Sequence, residues 1–131
     1  MAKGFDQNQQ RLQNLSMFGK DLTRRARSKC ELCETSGVPL SVHEVAPAAK
    51  EPDIERCIFI CEECATGIAT GKHPQPQRWR CLGNTVWSEV PAIQVAAVRL
   101  LRELSTTESW ASEILENVFL DEETEAWAST K

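Results

Sequence analysis

The chain has 131 residues, about one domain's worth, with 41% hydrophobic and 26% charged residues, six Gly and six Pro, a globular composition that excludes collagen-like, mucin-like and wholly disordered chains. No apolar run approaches the ~18 residues of a membrane span, and the start MAKGFDQNQQR lacks the apolar core of a secretory signal, so a cytoplasmic location without membrane association is expected. The net charge of −4 argues against a globally basic nucleic-acid binder, yet residues 1–30 hold seven of the fifteen Lys and Arg while residues 103–131 hold eight acidic residues and one Lys, so a basic front can attract an acidic rear.

The spacing of Leu12, Leu15, Phe18, Leu22 and Ala26 predicts one helix over Gln7 to Arg27 with a single buried stripe, running almost directly into Cys30. Leu40-Ser41-Val42 and Cys57-Ile58-Phe59-Ile60, flanked by Gly37, Pro39, Pro47 and Pro52, read as the strands of a small β-hairpin. After Cys64, the stretch ATGIATGKHPQPQ predicts a short helix dissolving into a loop. Ser88 is placed to cap a helix from about Glu89, with Pro91 in its first turn and Ile93, Ala97, Leu100, Leu101 and Leu104 facing inward. Thr106 or Thr107 then caps a helix carrying Trp110, Ile114, Leu115 and Val118, and Asp121 caps a third containing Trp127. No internal repeat or low-complexity linker interrupts the chain. The expected architecture is a single α-rich α+β domain, residues 1–131: an N-terminal helix within 1–29, a metal-bearing hairpin over 30–70, and three C-terminal helices over 79–131.

Six cysteines are too few for a disulfide-built secreted scaffold, and four of them are paired: Cys30-Glu31-Leu32-Cys33, then 27 residues, then Cys61-Glu62-Glu63-Cys64. A Cys-x-x-Cys turn brings two thiolates to about 2.3 Å from a zinc ion, and two such turns complete a tetrahedron with no open coordination position. The expected ligands of one structural Zn²⁺ are therefore Cys30, Cys33, Cys61 and Cys64. Thioredoxin-like redox chemistry would need only one pair, and iron suits the set less well. Cys57, which strand alternation places on the side of Cys61, reads as a core residue in preference to a further ligand, and Cys81 as a small buried hydrophobe.

The run Thr23-Arg24-Arg25-Ala26-Arg27-Ser28-Lys29 reads first as a solvated helix end, whose cations complement the negative end of the helix dipole. The sharper alternative is weak phosphate contact through Arg24, Arg25 and Arg27. Trp87, Trp110 and Trp127 read as structural rings. Trp79, between Arg78 and Arg80, is ascribed to the core in preference to stacking a nucleobase.

A first cysteine pair, a hairpin with Val42-His43-Glu44-Val45-Ala46-Pro47, a strand, and a second pair opening a helix resembles the treble clef of HNH nucleases. Aligned on Pro47, the general-base position holds Glu44, and His43 falls on the preceding acidic or His position. Arg56 or Cys57 stands where an Asn belongs, and Ala65 follows the last Cys. The frame is similar and the catalytic set is broken, so no catalytic residue is assigned; a metal-dependent nuclease or hydrolase using His43 and Glu44 is the alternative.

Over about Leu12 to Lys131 the chain resembles the PhnA-like proteins, named for an alkylphosphonate-utilisation operon. Gly19-Lys20-Asp21-Leu22-Thr23-Arg24-Arg25 leading to the first cysteine pair, Trp79-Arg80-Cys81-Leu82, Trp87-Ser88-Glu89-Val90-Pro91-Ala92-Ile93-Gln94-Val95, and Leu120-Asp121-Glu122-Glu123-Thr124 with Trp127-Ala128 carry the likeness. The family name does not denote a reaction here, since there is no cluster of His and Asp for catalytic metals and no Gly-rich phosphate loop. The resemblance implies a following small β-barrel, and for a chain ending at Lys131 the expectation is that barrel functions are absent. A non-catalytic zinc-binding interaction module with a protein partner is the expected function.

Overall fold

The structure, a computed structural model, describes the backbone of residues 2–130 and the side chains of residues 9–130. The side chain of Gln7, where the first helix was expected to begin, and the charges at Lys3, Asp6 and Lys131 lie outside those described. In chain order the elements are α1 (Ala2–Ser16), α2 (Gly19–Ala26), β1 (Leu40–Glu44), a 3₁₀ turn (Ile54–Arg56), β2 (Cys57–Cys61), α3 (Glu62–Thr70), a second 3₁₀ turn (Pro76–Cys81), α4 (Leu82–Thr85), α5 (Pro91–Leu104), α6 (Ser109–Glu116) and α7 (Glu122–Ser129). This is the expected α-rich α+β fold, with one two-stranded sheet.

The expected single N-terminal helix is two. The Ser16 hydroxyl donates to the Gln13 carbonyl at 2.7 Å and the Phe18 N–H turns back to Leu15 O at 3.0 Å, a tightened end that Ser favours, while Gly19 adds little helix propensity across the break. The bend brings Leu15 and Leu22 onto one small core with Cys57, against which Phe18, Val42, Ile54 and Phe59 pack. Leu12, expected in the buried stripe, is exposed. After α2, Arg27 and Ser28 adopt the left-handed conformation at φ 56° and 61° and direct the chain toward Cys30.

β1 and β2 pair antiparallel in the register Leu40↔Cys61 through Glu44↔Cys57. Strand alternation then sorts β2 between two cores. Cys57 and Phe59 belong to the cluster with Leu15 and Leu22, whereas Ile58 and Ile60 join the main cluster with Leu82, Val86, Val95, Val98, Leu100, Leu101 and Leu104. Burying each such aliphatic side chain contributes about 1.5–3 kcal/mol.

α5 is the central helix, and its buried surface is wider than the expected stripe, taking in Ala92, Val95, Ala96 and Val98 as well. It begins at Pro91 rather than Glu89: Ser88 Oγ accepts the Val90 N–H at 3.1 Å, so its capping acts one step before a proline that needs no donor partner. Thr106 and Thr107 do not cap α6. Their hydroxyls turn back to the Glu103 and Leu104 carbonyls at the end of α5, and α6 starts behind Glu108. Asp121 does cap α7, accepting the Thr124 N–H at 2.7 Å. The turn and α4 over residues 76–85 were not anticipated, because their apolar residues are too few to show a period.

Candidate metal centre

The first cysteine pair lies on a knuckle closed by local hydrogen bonds. Cys30 N–H donates to Thr35 O at 2.9 Å, Glu34 N–H donates to Cys30 O at 2.8 Å, and Lys29 bridges Ser36. Glu34 takes the left-handed conformation, φ 65°, that the tight return requires. Glu31 fixes this knuckle to β2: its N–H donates to Phe59 O and its carboxylate accepts the Phe59 N–H at 2.8 Å. That nearly buried carboxylate also takes a two-point ion pair from Arg25, at 2.8 Å on each oxygen. The second pair sits where β2 becomes α3, with Cys61 at the N-cap position and Cys64 in the first turn. Thr85 of α4 closes the inner side, its hydroxyl donating to Leu32 O at 2.7 Å.

These elements bring the sulfurs of Cys30, Cys33, Cys61 and Cys64 within 4.8 Å of one another. Cys30 and Cys64 sulfurs are 3.6 Å apart and those of Cys33 and Cys61 3.7 Å. The edge of a tetrahedron with ~2.3 Å metal–sulfur bonds is about 3.8 Å, and these two distances match it, so the set is compatible with a single four-coordinate ion. Cys30 Sγ accepts backbone N–H groups from Cys33 at 3.5 Å and Cys61 at 3.4 Å. The hydrogen bond shared with Cys64 together with these amides holds the Cys30 thiol well below its usual range despite burial, while Cys64 is pushed up by that same bond and by burial. A metal ion entering the set displaces the protons that the thiols share.

Cys57 and Cys81 lie outside the cluster. Burial is the main cause pushing each thiol up to about 11, and their sulfurs face the Asp53 and Arg78 carbonyls, as packed, unreactive thiols do. Burial pushes the His43 imidazole below its ordinary pKa. The Glu44 carboxylate receives both an ion pair and a second hydrogen bond from Arg11, which also donates to Ala49 O at 2.7 Å. Among the described residues, the four cysteines are the group of three or more His, Cys, Asp or Glu placed to share a metal; His43 and Glu44 gain no third ligand.

Of the basic run, Arg24 and Arg27 are exposed, whereas Arg25 is committed to Glu31 and to the Cys57 carbonyl at 2.9 Å. Trp79 is buried, as core placement requires, with 2% exposure. Arg56 stacks on Trp127 and Arg80 on Trp110 at 4.6 and 5.0 Å. Trp87 departs from its expected structural role: Leu82 of α4 and Val86 just past its end take the inner positions, one turn apart, and the Trp87 ring faces solvent with 55% exposure.

Sequence reasoning passed over Glu31 and Arg78. Arg78 lies with Nη1 3.8 Å and Nη2 3.9 Å from Cys64 Sγ. The acidic residue inside a Cys-x-x-Cys turn was an available signal for Glu31. The chain matches no protein-family model, and neither a curated protein nor a solved structure is significantly similar to it.

Proposed function

We propose that this chain is a non-catalytic, PhnA-like zinc protein, in which one structural Zn²⁺ held by Cys30, Cys33, Cys61 and Cys64 fixes a treble clef and presents an interaction surface to a protein partner in the cytoplasm. The observation that carries the reading is the four-sulfur set with near-tetrahedral edges of 3.6 and 3.7 Å. Four thiolates favour zinc and leave it no open position, which suits folding rather than bond cleavage. In zinc-finger peptides such a site contributes roughly 10–16 kcal/mol of apparent folding free energy. Support against the HNH-like alternative comes from Glu44, the carboxylate next to His43 in the chain, which is committed to Arg11 rather than held ready to activate water. Nucleic-acid contact is a minor function in this reading, since Arg25 of the basic run faces Glu31.

Metal analysis of the purified full chain tests the assignment. One Zn²⁺ per chain is expected, lost with unfolding of the central region in Cys61→Ser and retained in Cys81→Ser. Full zinc retention by Cys61→Ser would remove the four-sulfur site.

A further inference from the structure

The four sulfurs differ in what faces them. Cys30 takes the amides of Cys33 and Cys61, Cys61 faces the Cys33 sulfur at 3.7 Å, and Cys33 lies 3.1 Å from the Thr35 hydroxyl. Among the described residues, Cys64 is the one of the four that meets a cation, the guanidinium of Arg78. That guanidinium is held on two further sides: Nε is 3.2 Å from Glu63 Oε2, and its carbon stands 4.4 Å over the centroid of Trp79. Trp79 is in turn buried against α3, so the cation has a fixed seat. A divalent ion with four thiolates carries a net charge of −2, and a neighbouring cation offsets part of it most strongly where protein excludes water.

We infer that Arg78 is a positioning residue of the metal centre, which holds the Cys64 thiolate on the ion by charge compensation and slows release of the metal. This inference rests on the zinc reading above. It gives the otherwise unassigned Pro76–Cys81 turn a function: the turn carries the cation to the Cys64 sulfur. Arg80, two residues on, supplies a comparison within the same turn, because it stacks on Trp110 and donates to Gln77 at 3.1 Å.

The experiment follows transfer of Zn²⁺ from the loaded full chain to a chelator, with Co²⁺-substituted protein as a spectroscopic probe of the sulfurs. Arg78→Gln is expected to lower zinc affinity about 10–100-fold, Arg78→Lys to recover most of that loss, and Arg80→Gln to leave affinity unchanged. Removing the cation raises the energy of the sulfur electrons, so the sulfur-to-cobalt band of Arg78→Gln should move to longer wavelength, which a mere packing defect would not produce. Affinity of Arg78→Gln within twofold of the wild type, or Arg78→Lys no better than Arg78→Gln with an unmoved cobalt band, would overturn the inference. Should Arg78→Gln fail to fold, the wild type decides through ionic strength, since screening the pair must speed zinc release and a salt-independent rate overturns the inference. A wild type that binds no ion sinks the zinc reading and this inference together; a wild type holding one ion with an unaffected Arg78→Gln sinks this inference alone.

Discussion

Asp121 accepts the Thr124 N–H, and this bond to the ionised carboxylate, with the Thr124 side chain, holds the Asp121 carboxyl below its ordinary value. Because the folded value is the lower one, the stabilisation is present above the unfolded-state pKa of about 3.9 and is lost as the pH falls through the folded value. Asp121→Ala should therefore reduce hydrogen-exchange protection of the α7 amides at pH 7, and the gap to the wild type should close as the buffer is acidified below pH 4. Asp121→Asn, which keeps an acceptor, should lose less. A gap independent of pH would show that the carboxylate charge is not what caps the helix. At its other end α7 is held by Arg99 of α5, whose Nη2 donates to Trp127 O at 2.6 Å and whose Nε donates to Ala128 O at 3.3 Å, a cation satisfying terminal carbonyls from a neighbouring helix.

At the scale of elements, α3 meets the 3₁₀ turn of Pro76–Cys81 through a gap left by Gly67. A Cβ at Gly67 would lie 2.6 Å from Trp79 Cζ2, so Gly67→Ala forces the indole and the arginine stacked on it to shift. We expect a loss of about 1–3 kcal/mol, the usual cost of overpacking. Gly19→Ala, with nothing within 4 Å of its added carbon, should be neutral or stabilising by up to about 1 kcal/mol. Paired thermal melts check both, and equal effects would mean that the close approach is not what selects glycine at 67. The elements legible beforehand were those with a strong local signal. The hairpin followed from β-branched runs, the clustering of four cysteines from their spacing, the α7 cap from one aspartate. The break at Ser16–Gly19 was hidden because Leu15 and Leu22 keep one stripe across it, and only the packing of Leu15, Leu22 and Cys57 together shows why the chain bends there. Arg78 was illegible as a neighbour of Cys64, since fourteen residues separate them and only the course of the chain after α3 makes them meet.

Across the whole molecule, the charge asymmetry is partly spent on internal pairs. Arg11 faces Glu44, Arg25 faces Glu31 and Arg102 faces Glu125. Exposed pairs such as Arg102 with Glu125 contribute about 0–1 kcal/mol, but each one removes a cation from the surface field. The exposed Arg24 and Arg27 beside Lys29 leave a small basic patch on an acidic chain. Oligonucleotide binding is therefore expected to be weaker than micromolar at physiological salt and to fall steeply as salt rises. With added Mg²⁺ or Mn²⁺, plasmid DNA should remain intact. Anisotropy titrations and gel assays check the two halves, and cleavage abolished in folded His43→Ala or Glu44→Ala protein would establish the nuclease reading instead.

The indole N–H of Trp127 donates to Ala46 O at 3.0 Å, linking residues 81 positions apart. In a chain made at roughly 5–20 residues per second, that interval is about 4–16 s of synthesis. Cys64 precedes Trp127 in the chain, so the four clustered cysteines are all synthesised before the residue that closes onto the Ala46 carbonyl. Synthesis thus delivers the four clustered cysteines before the last helix, whose indole is a late fastening of the loop after β1.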